Sequence, residues 1–83
     1  MGDPVIIVAP LPKGGWGVQL RDNQARHVFQ ERFRALEYAH VWAQDVRPSL
    51  VRVLDADGAL EDECVYGHYR ERRAPGPVVS LAP

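Results

Sequence analysis

The stretch Gly15-Trp16-Gly17-Val18-Gln19-Leu20-Arg21 decides the fold. Trp16, Val18 and Leu20 alternate with Gly17, Gln19 and Arg21, and a period of two marks a strand with one face in a core and the other in water. Just upstream, Lys13-Gly14-Gly15 is turn chemistry, because glycine accepts the positive φ of a tight reversal. Further back, Val5-Ile6-Ile7-Val8 is set off by Pro4 and by Pro10 and Pro12, and it is apolar on both sides of the pleat. Such a run suits a strand covered on both faces, or an edge that pairs with another chain. Downstream, Asp22-Asn23-Gln24 supplies a second turn, and Ala25 to Phe29 a third strand in which His27 and Phe29 share a side. These three strands read as an antiparallel meander.

From Glu31 to Val46 the period changes. Ala35, Leu36, Ala39, Trp42, Ala43 and Val46 recur at spacings of three and four, the stripe of one helix face, and the small alanines let that helix sit close to a sheet. Glu31 complements the positive end of the helix dipole, and Pro48 stops propagation after Arg47. A hairpin follows: Leu50 to Leu54, the turn Asp55-Ala56-Asp57-Gly58, then Ala59 to Tyr66. The expected fold is a two-layer α+β domain over residues 1–69, an antiparallel β-sheet with one α-helix packed on one face, in the order β-β-β-α-β-β. Residues 70–83, with Arg70-Glu71-Arg72-Arg73 and Ala74-Pro75-Gly76-Pro77, cannot bury enough apolar surface and read as a flexible C-terminal tail.

Eighty-three residues bound the chain to one domain with a modest core and leave little room for a large enclosed active site. A hydrophobic content of 46% with 25% charged residues is that of an ordinary globular domain. The longest apolar run, Val5 to Pro12, is far short of the roughly 20 residues that span a bilayer and lacks the basic leader of a signal peptide. Cys64 is the single cysteine, so no internal disulfide can form and a reducing cytoplasm is the expected home. A net charge of −1 exerts no global pull on nucleic acid or acidic lipid, so any such attraction must come from a local patch.

The Gly-Trp-x-Val strand, Phe29 before an Ala-spaced helix (Ala35, Ala39, Ala43), Asp57-Gly58-x-Leu60 and the closing Tyr66-Gly67 resemble the small bacterial domains grouped as domain of unknown function 2188. The resemblance spans residues 5–67. It departs where the family places Ser or Thr as helix cap and this chain has Glu31, and where the family's Lys-rich strands give way to arginines and acids. It implies architecture and no activity. A second resemblance, to the arm-type DNA-binding domains of phage integrases and the plant AP2 domain, implies that the outer face of a three-stranded sheet could meet DNA.

With Trp16, Val18 and Leu20 turned to the helix, the opposite face shows Gln19 and Arg21, joined by Arg26, Val28 and Gln30, and by Arg52 if the later hairpin pairs in the same sheet. Arginines among glutamines can bind phosphates and base edges, whereas an antiparallel sheet also simply shows water its polar face. The candidate binding face is therefore Gln19, Arg21, Arg26, Gln30 and Arg52. Trp16 could stack a base or a sugar, but a tryptophan on the apolar side of an alternating strand is first a core residue, as is Trp42. Cys64 and His68 are four apart, yet a structural zinc site needs four ligands and His27 and His40 have no motif spacing to them. Ser49 and Ser80 lack a nucleophile-elbow context, and Asp55, Asp57, Glu61, Asp62 and Glu63 do not match a calcium loop. No catalytic residue, metal, cofactor or membrane partner is called for. The sequence points to a non-enzymatic module that interacts with another protein or with a second copy of itself, through a strand edge or an uncovered apolar face, with nucleic-acid binding through the arginine face as the alternative.

Overall fold

The computed structural model describes residues 2–23 and 25–68. In chain order the elements are β1 (Val5–Pro10), β2 (Trp16–Leu20), β3 (His27–Phe29), α1 (Arg32–Asp45), β4 (Ser49–Leu54) and β5 (Leu60–Tyr66). This is the expected order, folded as a five-stranded sheet with the helix on one face. The tail expected over 70–83 lies outside the described residues.

One expectation is corrected. The sheet is mixed, not antiparallel: its strand order is β3-β2-β1-β4-β5, and β1 pairs with β4 in parallel. The other pairings are antiparallel, so the chain forms a meander on one side of β1 and a hairpin on the other. The physical reason lies in β1 itself. Its run of apolar residues on both sides of the pleat makes it the central strand, and the helix returns the chain to the open side of that strand.

The register fixes the two faces. Ile6 pairs with Leu20 and Val51, Val8 with Val18 and Val53, and Trp16 with Phe29, so these residues share the helix face. Ile6, Val8, Val18 and Val51 are fully buried there against Ala35, Ala39 and Ala43. Alanines four apart give the helix a flat stripe with no side chain to hold it off the strands, which is why valine and isoleucine suffice to fill the layer. Trp16, Leu20, Phe29, Leu36, Trp42 and Val46 close the rim.

The helix is held by packing more than by its ends. Glu31 is the N-cap residue, but its side chain makes no capping bond and pairs instead with Arg34 at 3.5 Å. At the other end, buried Ser49 donates its hydroxyl to the Ala43 carbonyl at 2.8 Å, satisfying an acceptor that the last helical turn leaves open.

Candidate interaction face

Among the described residues no helix lies on the second face of the sheet. Three rows of side chains cross it. Val28, Gly17 and Ala9 are register partners; Leu54, one residue beyond Val53, sits beside Ala9 and pairs with Leu60. An apolar row thus crosses all five strands, and its ends, Val28 and Leu60, are 63% and 55% exposed. The next row sets Ile7 among polar residues: Gln19, Ile7, Arg52 and Glu63. The third holds Val5, Leu50 and Val65, the last of these exposed.

The five residues expected to form a binding face fall at different places on and around the sheet. Gln19 and Arg52 lie in the same row, on either side of Ile7. Arg52, however, is engaged by Glu63 across the hairpin, with Nε to Oε2 at 2.8 Å, so its charge is largely balanced within the chain. Arg21 sits past the end of β2, its amide bonded to the Val5 carbonyl, and Gln30 lies at the bend between β3 and the helix. Arg26 is the most informative. A Cβ built on Gly17 would lie 2.6 Å from its Cδ and 3.2 Å from its Cγ, so the arginine stem lies flat over the glycine. The absent side chain is what gives the stem its bed.

Beside that stem is an open cleft of about 300 Å³ lined by Leu11, Pro12, Lys13, Gly14 and Arg26. Leu11 also lies over Gly17, which places the cleft at the margin of the uncovered face. A second cleft of about 300 Å³ flanks the same ridge, lined by Pro10, Leu11, Pro12 and Ala56. Among the described residues neither lining holds a carboxylate, imidazole, thiol or hydroxyl, and Lys13 is the one titratable amine in the first. The β1–β2 loop that forms the ridge is braced by the Leu11 amide on the Gly15 carbonyl and the Gly14 amide on the Leu11 carbonyl, both 3.0 Å, with Gly14 and Gly15 at positive φ.

The sheet's two edges differ from its face. β3 has only three residues, and β5 carries Glu61, Asp62 and Glu63 in succession. An antiparallel pairing of β5 with another β5, centred on Asp62, would set this acidic run against itself. Asp62 Oδ1 also accepts the Glu63 amide at 2.8 Å, so a backbone donor of the edge strand is already taken. This is how an edge is guarded against strand addition.

On the helix side two aromatic groups were not read from the sequence. His27, Phe29, Tyr38 and Trp42 form a contiguous set with centroids 5.0 to 5.8 Å apart. Trp16 packs at the core rim with the Arg32 guanidinium 5.5 Å over its ring. At the far end of the helix, His40 Nδ1 hydrogen-bonds the Tyr66 hydroxyl while Arg47 lies 5.2 Å from the Tyr66 ring and donates to the Gly67 carbonyl. Burial, reinforced by the Cys64 thiol, raises the Tyr66 phenol above its ordinary value of 10.0, and Arg47 opposes the shift. Spacings of 26 and 20 residues put these partners beyond any local motif. Among the described residues no three His, Cys, Asp or Glu side chains converge as metal ligands, and no helix is long and apolar enough to cross a membrane.

The chain matches no protein-family model, no curated protein and no solved structure.

Proposed function

We propose that this chain is a non-enzymatic interaction module that associates with a second copy of itself through the uncovered face of its sheet. The observation that carries this reading is the apolar row of Val28, Gly17, Ala9, Leu54 and Leu60, capped over the buried Gly17 by Leu11 and the Arg26 stem, which runs the width of the sheet with both ends open to water. Soluble monomers rarely leave a contiguous apolar patch of more than a few hundred Å² uncovered. Five strands about 4.8 Å apart, from about 10 Å long in β3 to about 23 Å in β5, present a plane of roughly 430 Å². Two such faces stacked would remove on the order of 1,000 Å², the lower bound for a specific interface, which corresponds to weak, reversible association. The guarded β5 edge and the short β3 argue against the alternative route through a strand edge.

The nucleic-acid reading has less support, because Arg52 is paired with Glu63 and Arg21 and Gln30 lie off the centre of the face. A lone, half-buried thiol at Cys64 suits a reducing cytoplasm as the place of action.

Sedimentation at micromolar concentration is expected to give twice the 9.3 kDa chain mass in a concentration-dependent equilibrium. Val28→Lys combined with Leu60→Lys charges both exposed ends of the row, and it should return the chain to monomer without changing its melting. A strict monomer for the unaltered chain would overturn the proposal.

A further inference from the structure

We infer that the two copies stack about a two-fold axis parallel to the strands, so that the cleft between Lys13 and Arg26 of each copy receives the Asp57 turn of the other. This rests on the self-association just proposed and specifies its geometry.

The argument begins with the parallel β1–β4 pair. Because these neighbours run in the same direction, the β1–β2 loop and the β4–β5 turn emerge at the same end of the sheet. They also carry opposite charge. On the β2–β3 side, Lys13 and Arg26 line the cleft, and among the described residues neither has a carboxylate within ion-pair distance, whereas Arg32, Arg34 and Arg52 do. On the β4–β5 side, the Asp55 carboxylate accepts the amides of Asp57 and Ala59 at 2.9 and 3.0 Å, and Gly58 closes the turn at φ +84°. Asp55 is thus the turn's internal brace. Asp57 is left exposed, and among the described residues it has no cation in ion-pair range.

An isologous face-to-face dimer has its two-fold axis in the plane between the sheets. If that axis runs along the strands, each sheet keeps its loop end but reverses its strand order. β3 of one copy then lies opposite β5 of the other, and Val28 meets Leu60 of the second copy, closing the apolar row against itself at both ends. The same operation carries each acidic turn across to the cationic loop at the same end. If instead the axis crosses the strands, the β1–β2 loop meets the opposite end of the second sheet and Asp57 is left without a cation. The cleft's apolar floor of Leu11 and Pro12 excludes water beneath the incoming carboxylate, which strengthens its attraction to the two cations.

Charge reversal tests this. Lys13→Glu alone sets Glu against Asp57 at both symmetric contacts, and Asp57→Lys alone sets Lys against Lys13. Each should weaken self-association by about tenfold or more while leaving thermal unfolding unchanged. An equimolar mixture of the two variants should recover association as a mixed dimer, identified by native mass spectrometry, and the chain carrying both changes should recover it alone. If the single variants associate as tightly as the unaltered chain, or the mixture forms no mixed dimer, the axis and the cleft contact are wrong although the face is right. If the unaltered chain never associates, the underlying reading fails instead.

Discussion

Ile6 and Ile7 are consecutive, identical in chemistry and opposite in fate: Ile6 is fully buried beneath the helix, while Ile7 stands half-buried on the bare face between Gln19 and Arg52. The same contrast repeats across the sheet. Val51 and Val53 are buried on one side, and Leu50 and Leu54 alternate with them on the other. What separates the two faces is the lid. One helix of 14 residues has one apolar stripe and can cover one face, so a sheet whose central strands are apolar on both sides is left with a face that no helix among the described residues covers. The covered face is a source of stability, and the bare face is the one proposed here to associate.

The sharpest way to break that comparison is to truncate each isoleucine in turn. Ile6→Ala should cost about 2–5 kcal/mol of unfolding free energy, because it removes a fully enclosed side chain from a layer whose alanine stripe cannot move in to fill the void. Ile7→Ala should cost about 1 kcal/mol or less in dilute solution, since its side chain stays partly in water when folded. Urea unfolding of both variants at the same low concentration decides the matter. Equal losses would mean that the two faces are not energetically distinct.

The division into faces was legible in the sequence wherever the alternation was strict. Trp16, Val18 and Leu20 point to the helix as their period requires, and the Ala35, Ala39 and Ala43 stripe identified the lid. The parallel pairing was not legible. β1 and β4 are both dense in branched apolar residues, and a local pattern holds no information on which strand lies beside which across some forty intervening positions. The arginine face shows the same limit. Arg52 belongs to that face by parity, but its pairing with Glu63 depends on the hairpin register, and that register contains an irregularity at Val53/Leu54. Arg26 lies over Gly17, which leaves room for its stem, and so lines a cleft with Lys13, a placement set by the β2–β3 pairing and not by spacing along the chain.

A middle-sized effect belongs to the covered face alone. Ser49 is buried, and its hydroxyl is the partner of the Ala43 carbonyl at the end of the helix. Ser49→Ala leaves that carbonyl unpartnered in a dry site and should cost about 1–3 kcal/mol. Ser49→Thr keeps the hydroxyl and should recover part of the loss. If alanine and threonine behave alike in thermal melts, the bond contributes nothing and the helix is held by the alanine stripe only.

The smallest expected effect lies at the rim of the covered face, where pH can separate packing from hydrogen bonding. Tyr66 shares the helix side of the sheet with Ser49 and Val51, and its phenol is held above its ordinary value of 10.0 mainly by burial and next by Cys64. For a group whose folded value is raised, the stabilisation is present in full below the unfolded value and declines as pH climbs through the folded one, because the unfolded chain sheds the proton first. Unfolding free energy should therefore fall above about pH 10 more steeply in the unaltered chain than in Tyr66→Phe, which has no phenol to ionise. His40 loses its Nδ1 partner in that variant at every pH, so the offset between the two curves at neutral pH reports the His40–Tyr66 bond and only the difference in their alkaline slopes reports the phenol. Parallel slopes would show that the rim is as open to water as the bare face, and the distinction between the two sides of the sheet would then stop at the alanine stripe.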